Sequence, residues 1–498
     1  MHSRLVNRCL SKLSSLPIGF CIGAVLLSGC GDSEVPPPVS SIHPKLSVMM
    51  IQFGADTPEP DSPVQTSIEA YTGLTLDMTW VPATSYDDKV SATLASGKLP
   101  EVMLLRRNKE QASLNAQQSG LFWNLAPFLE DTVHLKHMSR TALDNAMIDG
   151  KLYGIPRERV IARYGIIFRK DWLDRLGLAV PASVEDIYNT AKAITERDPD
   201  GNGQPDTFGI EESKSLESLK QLAVYLGAPN GWGWEEGKLQ PDFLHPAYKQ
   251  ALDLMRRMYS EKLINPDFPI APKYSYFNQG KAGMYFSVLG DAVSKTDTKK
   301  LNPDAVEVID VVQNINGPLG QRVRATNGYD SLLVIPKAGA ASEQEVRRII
   351  QFFDKLGDPP MQDLLNWGLE GIDYVMENGT PRKLPGTIGA GDYWSFKWDD
   401  PVAGMQGIKT QLEEKVDRLA AQNEVLAIPD LSAPLISATN YDVGKELDTG
   451  LYNAKVNYIL GVLDEEGWNE AISSWRQNGG DRMMDELTAA YRKTVQLK

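Results

Sequence analysis

The sequence predicts an α/β protein of two lobes with a helix-rich C-terminal part. Three observations predict it. Short apolar runs alternate with amphipathic helical spacings from Leu46 onward, the first of them read strand–helix–strand–helix–strand, and helical patterns dominate from about Ile408. At roughly 150 residues per domain, 498 residues leave room for two large domains or three ordinary ones.

Taken in order, Leu46-Ser47-Val48-Met49-Met50-Ile51 has the apolar density of a buried strand, and a Pro-punctuated loop follows over 57–63. Residues 65–71 have helical spacing, 74–81 alternate as a second strand, 87–96 form a helix stopped by Gly97, and 102–105 make a third strand. This opening predicts a mostly parallel sheet with helices on both faces. Later, Ser183 with Asp186 three residues on opens a helix whose inner face is Val184, Ile187, Ala191 and Ile194. Residues 246–262 form another, with Ala247, Ala251, Leu254 and Met258 inward and Asn265-Pro266 beyond its end. The C-terminal helices are expected at 411–427, 456–463, 468–477 and 481–495, with Gly479-Gly480 separating the last two. There is no short-period repeat and no long heptad run.

Composition narrows the function. A chain that is 42% hydrophobic and 23% charged is neither disordered nor fibrous. With 51 Lys and Arg against 65 Asp and Glu, its net charge of −14 opposes binding to phosphate backbones, so nucleic acid is not an expected partner.

The N-terminus reads as an export signal: Arg4, Arg8 and Lys12, an apolar core over 16–27, then Leu27-Ser28-Gly29-Cys30. The core is shorter than the roughly 20 residues a spanning helix needs. The tetrapeptide resembles the lipobox of bacterial lipoproteins, which implies cleavage before Cys30 and attachment of a lipid to its thiol. Residues 1–29 are then a signal peptide, and 30–44 a lipidated Cys and tether stiffened by Pro36-Pro37-Pro38. The chain has three Cys; cleavage removes Cys9 and Cys21 and lipid occupies Cys30, so no disulfide and no thiolate chemistry remain. The expected location is outside the cell, anchored by lipid to the outer face of a membrane or facing a periplasm.

One local motif carries chemistry. Asp198-Pro199-Asp200-Gly201-Asn202-Gly203-Gln204-Pro205-Asp206 matches the first nine positions of a calcium loop: side-chain oxygens of Asp198, Asp200, Asn202 and Asp206, a backbone carbonyl from Gln204, and Gly203 at the sharp turn. Position 12 is Gly209 where a bidentate Glu is usual, so bidentate ligation falls to Asp200, Asp206 or a carboxylate such as Glu211 or Glu212. A structural calcium is expected, without sensing or catalysis. No comparable catalytic motif is present: neither HExxH, nor GxSxG, nor a phosphate-binding loop. His134 and His137 read as exposed polar residues. Glu370 with Asp373, or Asp399 with Asp400, could be nominated as a glycosidase pair only if a sugar were held between them.

Several motifs together resemble family 1 extracellular solute-binding proteins. These are Asp149-Gly150-Lys151-Leu152-Tyr153-Gly154-Ile155-Pro156 followed by Phe168-Arg169-Lys170-Asp171-Trp172-Leu173, Phe277-Asn278-Gln279-Gly280-Lys281-Ala282-Gly283-Met284, Asn366-Trp367-Gly368-Leu369-Glu370-Gly371-Ile372-Asp373-Tyr374, and Asn478-Gly479-Gly480. With the calcium loop, the chain resembles the large lipoproteins that bind alginate and other oligosaccharides. The resemblance implies a type II periplasmic-binding-protein fold: two discontinuous lobes, 45–162 plus 327–385 and 163–326 plus 386–498, closing on a ligand about a hinge. It also implies a non-enzymatic monomer that delivers an oligosaccharide to the permease of an ABC importer. The alternative is a secreted polysaccharide-active enzyme or a glycan-sensing adhesion lipoprotein.

A sugar cleft needs aromatic platforms and planar polar partners. Trp232 and Trp234 lie among glycines, Tyr393 and Trp394 in the cluster 393–398, and Trp367 beside Glu370 as a hydroxyl acceptor; Tyr285 and Tyr329 are expected near strand ends. Arg157, Arg159, Arg163 and Arg169 bracket the expected first crossover, with Arg163 best placed to meet a ligand, and an acidic glycan would suit guanidinium forks.

Overall fold

The structure is a computed structural model that describes residues 44–496 apart from 295, 297, 303–306 and 398–403. The export signal, Cys30, the tether, Trp398, Asp399 and Asp400 lie outside the described residues.

The first sheet begins as the sequence predicts. Strands Lys45–Gln52, Thr75–Pro82 and Val102–Leu105 run parallel, the first in the middle. Leu46, Val48, Met49, Met50 and Ile51 are all buried, because helices cover both faces. Helix Pro63–Thr72 starts where Ser62 Oγ accepts the Gln65 N–H (3.3 Å), and helix Tyr86–Ser96 ends on the left-handed Gly97. Of the two further strands only one departs from the parallel expectation: Tyr329–Val334 runs antiparallel to both Val102–Leu105 and Gly154–Glu158, which leaves Gly154–Glu158 in the direction of the first three. Both are next to segments that pass between the sheets, so the chain re-enters from the edge it left.

The second sheet is also mixed. Strand Tyr164–Arg169 pairs antiparallel with Ile309–Val312 and Ala282–Val288, and Phe208–Glu211 pairs parallel with the latter. Alternation sorts its side chains: Ile166, Phe168, Met284 and Phe286 enter one core, Ile167 and Tyr285 another on the opposite face. Helix Val184–Glu196 lies on the first of these faces, capped by Ser183 as expected. Helix Pro246–Ser260 buries Ala247, Ala251 and Met258, but Met255 and Leu252 are fully inside where Leu254 is only half-buried.

Three segments cross between the sheets. The Arg159 N–H donates to Gly328 O (2.8 Å) and the Thr326 N–H to Ile161 O (2.9 Å), tying the first crossing to the second. Val323–Arg324 then pairs parallel with Ala427–Ile428, the third. Helix Gln411–Gln422 stops short of the expected 427 because buried Asn423 bonds Gln313 Oε1 (2.8 Å) and Asn314 Oδ1 (3.0 Å), turning the chain into that crossing. The C-terminal part packs a fourth core from the hairpin Trp232–Glu235 and Lys238–Pro241 and from three long helical segments. The first of these, Ala438–Ile459, is one helix of 22 residues where only 456–463 was expected; Gly444 and Gly450 within it dilute the apolar signal. Helices Glu465–Trp475 and Asp481–Gln496 follow, joined at Gly479, whose φ of 134° is the break between them.

Candidate ligand cleft

Register fixes where the sheet edges point. Leu332 pairs with Leu105 and Tyr329 with Glu158, so Tyr329, Glu158 and the C-terminal ends of the parallel strands share one edge of the first sheet. In the second, Tyr164 pairs with Val288, and Glu211 with Tyr285, so the ends at Val288 and Glu211 lie on the edge where Tyr164 begins. The crossing from Glu158 to Tyr164 joins these two edges directly. Open α/β sheets bind ligands outside the carboxyl ends of their strands, and here two such edges meet across the crossovers.

On the first edge, Phe53 directly follows strand Lys45–Gln52 and is 52% exposed. Its ring centre is 5.7 Å from that of Trp394, at 33°, and the Arg157 guanidinium lies 5.3 Å from the Trp394 ring. The N–H groups of Phe53 and Gly54 donate to the buried Asp392 carboxylate (2.9 and 3.2 Å). Arg157 and Arg159 both pair with Asp330. Tyr329 Oη lies 3.2 Å from Asn108 Oδ1 and from Asn145 O, and burial pushes its hydroxyl up to about 12. Asn108 is 4% exposed, and its Nδ2 has no hydrogen-bond partner among the described residues.

On the second edge, the Arg324 guanidinium stacks 4.2 Å from the Tyr164 ring and pairs with Glu217, which Lys220 also reaches at 3.3 Å. Burial alone would raise the Glu217 carboxyl, but these cations outweigh it and hold it below the usual range. Glu211 and Glu212 have no such partners, and burial raises each to about 7. Between the edges, Lys109 of the first lobe donates to the Ala433 carbonyl, beside Asp430. Burial lowers Lys109 to about 8 despite the Asp430 charge. Asp430 in turn accepts the N–H groups of Trp232 (3.3 Å) and Ser432 (2.9 Å). Ile436 and Tyr441 pack on the first core while Leu431 and Leu435 belong to the fourth, so residues 430–441 bridge the two sides.

The other ring candidates divide by burial. Tyr285 is 3% exposed, edge-on to Phe277 and Tyr274, in the core beneath the second sheet. Tyr393 is 2% exposed, with its hydroxyl donating to Gln65 Oε1 (2.6 Å) and its ring against Trp80. Neither offers an open face. Trp232 is half-buried against the fourth core, and Trp234 is 40% exposed, 5.2 Å from the Tyr491 ring. Trp367 ends helix Pro359–Trp367 with Nε1 donating to Met405 O (3.2 Å), and Glu370, three residues on, is exposed. Arg163 is half-buried at the head of strand Tyr164–Arg169, where its carbonyl accepts the Leu289 N–H (2.8 Å). Arg169 is spent on Asp171 and on the Trp172 ring, 4.3 Å away. His134 bonds Asp358 (2.8 Å) and Asp373 accepts the Leu369 N–H (2.9 Å), both local structural contacts. A surface depression along helix Glu465–Trp475, lined by Glu465, Glu466, Asn469 and Glu470, has no ring to stack a sugar.

The loop 198–206 is tightly wound. The Asp198 carboxylate accepts N–H groups from Gly201 (3.0 Å), Asn202 (3.0 Å) and Gly203 (2.9 Å), with Gly201 and Gly203 both left-handed. The Asn202 amide donates to Asp200 Oδ2 (2.9 Å) and Asp206 Oδ1 (3.1 Å). The Gly203 N–H and its neighbours hold Asp198 below the usual carboxylate range, while burial and the adjacent Asp198 push Asp200 above it. Among the described residues, no three His, Cys, Asp or Glu side chains are gathered tightly enough to hold a metal as they stand. The donors are nevertheless all oxygen, as a hard divalent ion requires, and the Asn202 amide protons occupy the place between two carboxylates that a cation would take. Glu211 and Glu212 are excluded as further ligands. Glu211 accepts the Phe277 N–H (2.8 Å) and Glu212 those of Ser213 (2.7 Å) and Ser218 (2.9 Å), at the far end of strand Phe208–Glu211. Position 12 cannot carry a Glu: a Cβ on Gly209 would lie 2.4 Å from Ala191 Cα, where helix Val184–Glu196 packs on the strand.

Two mixed sheets joined by three crossings give the α/β architecture of solute-binding proteins of ABC importers. The chain belongs to the bacterial extracellular solute-binding protein family, which it matches over residues 54–363. Such proteins are non-enzymatic components of transport. The chain is 31% identical to Lipoprotein LipO of Bacillus subtilis (strain 168), over 98% of its own length and 99% of that protein's. It is also 31% identical to the polygalacturonan/rhamnogalacturonan-binding protein YtcQ of the same organism, over 94% and 96%. Among solved structures, it resembles alginate-binding protein AlgQ2 without calcium ion, with a TM-score of 0.66 at 16% identity, covering 90% of this chain and 98% of that one.

Sequence reasoning missed Phe53, Asn108, Lys109, Arg324, Asp392 and Asp430. Only Phe53 carried a local signal, an aromatic residue and a glycine directly after a buried strand.

Proposed function

We propose that this protein captures an oligosaccharide, acidic glycans included, between the two sheet edges and delivers it to an ABC permease, held at the membrane by lipid on Cys30. The observation that carries the reading is the pairing of opposed strand ends with aromatic rings and arginines on the first edge and Arg324 over Tyr164 on the second. The similarity to a polygalacturonan/rhamnogalacturonan-binding protein supports an acidic sugar chain, and that to a lipoprotein supports the anchor. Within the cleft, Trp394, Tyr329 and Arg163 are the foremost ligand contacts, with Trp232, Trp234, Trp367 and Glu370 as outer ones. Tyr285 and Tyr393 serve as buried supports. The first lobe is best drawn as 45–162 plus 327–397, because Ala390, Tyr393 and Phe396 belong to its core. Loop 198–206 takes a structural calcium, with Asp198, Asp200, Asn202, Gln204 and Asp206 as its ligands.

Calorimetric titration with di- and trigalacturonate and with neutral maltotriose tests the binding reading. Saturable heat with no product is expected. Turnover of any of these sugars, or no binding across a wider panel of oligosaccharides, would overturn it.

A further inference from the structure

We propose that Phe53 is a sugar platform of the cleft, the exposed member of a stack built with Trp394 and Arg157. The inference rests on the oligosaccharide-binding reading above and assigns one ring of that ligand to a particular place.

Three features set Phe53 apart from an incidental surface phenylalanine. First, its position: it follows the last buried residue of strand Lys45–Gln52, at the carboxyl-end edge from which the crossing after Glu158 leaves for the second sheet. Second, its backbone is fixed. Asp392, itself 5% exposed, accepts the N–H groups of both Phe53 and Gly54, and a Cβ at Gly54 would come within 3.3 Å of that carboxylate. A ring presented on an anchored backbone loses little freedom when a ligand stacks on it. Third, it is backed: Trp394 lies at stacking distance, and the Trp394 ring also meets the Arg157 guanidinium, which is held by Asp330 and Ser331. Aromatic pairs prefer such offset arrangements, and a cation near the indole polarises it.

A pyranose offers a face of C–H groups that matches a phenyl ring, with hydroxyls at its rim. Phe53 supplies the apolar face; Trp394 and Arg157 keep it in register with the crossing at Glu158–Tyr164.

The test is Phe53→Ala in the full chain, titrated with trigalacturonate and maltotriose beside the wild type. For whichever probe the wild type binds, affinity should fall about tenfold, the size of one lost aromatic contact, with the melting temperature unchanged. Phe53→Trp should restore binding, and Ile388→Ala, at a residue 85% exposed, should leave it alone. Equal affinity of Phe53→Ala and wild type would overturn the platform while leaving the oligosaccharide reading standing. A wild type that binds neither these probes nor a wider oligosaccharide panel would overturn both.

Discussion

Removing calcium is the perturbation that most directly separates a metal loop from a self-satisfied turn. Loop 198–206 holds three carboxylates, and Asp200 and Asp206 converge on one amide. At about 1 mM free calcium and a dissociation constant of about 10 μM, linkage stabilises the folded state by about 2.7 kcal/mol. Unfolding entropy of about 2.1 cal/mol/K per residue, over roughly 450 residues, is about 0.95 kcal/mol/K, so the expected shift in melting temperature is about 3 °C. Differential scanning calorimetry with calcium, with a chelator, and with magnesium in excess checks this. Asp200→Ala should melt at the chelated temperature and no longer respond to calcium. The ligand affinity should change little, because the loop begins a strand and does not line the cleft. Identical melting with calcium and with chelator would refute the argument, since the carboxylates would then be satisfied by the backbone and Asn202 alone.

Two further predictions concern buried charge. Glu211 is raised from 4.5 to about 7 by burial, so its folded form binds the extra proton: the stability it contributes is full below about 4.5 and is lost as pH rises through about 7. Glu211→Gln keeps an acceptor for the Phe277 N–H and removes that loss, so it should gain up to about 3 kcal/mol at pH 8 and nothing at pH 4.5 in denaturant titrations; a pH-independent difference would count against it. Lys109 is lowered from 10.5 to about 8, so the folded state gives up its proton first, and a penalty present at neutral pH is relieved as pH rises from about 8 to 10.5. Stability of the wild type should gain up to about 1.4 kcal/mol per pH unit from this group across that window, and Lys109→Met should lack that increment.

The sequence was most legible where local rules coincide with tertiary ones. The first three strands and two helices lie close to where apolar spacing and Gly97 put them, because a parallel sheet covered on both faces leaves an unbroken apolar signature. The long helix Ala438–Ile459 was hidden because its burial depends on packing against two different bodies, with Leu447 and Leu451 in one core and Val456 and Ile459 in another. The antiparallel strands were hidden for a related reason: their direction follows from how the chain crosses, which no local period records. Burial of rings was equally unreadable. Tyr393 and Trp394 are neighbours in sequence, yet one closes the first core and the other meets Phe53, since successive side chains of a tight helical turn point to different surroundings.

The missing ligand at position 12 shows how one glycine can join two requirements. Strand Phe208–Glu211 starts at the end of loop 198–206 and finishes at the cleft edge with Glu211 and Glu212. Helix Val184–Glu196 runs into the same loop from the other side and packs on that strand so closely that only glycine fits at 209. Loop, helix and strand therefore form one rigid unit: the Thr195 hydroxyl accepts the Gly209 N–H (3.0 Å) and Thr207 Oγ1 donates to Ile194 O (2.9 Å), locking strand to helix just beyond the loop. An EF-hand Glu would bind the metal more tightly but force the helix off the strand. The chain keeps the packing, so the calcium proposed for this loop would act as a clamp on the unit that presents one wall of the proposed cleft, leaving recognition of a sugar to the strand ends.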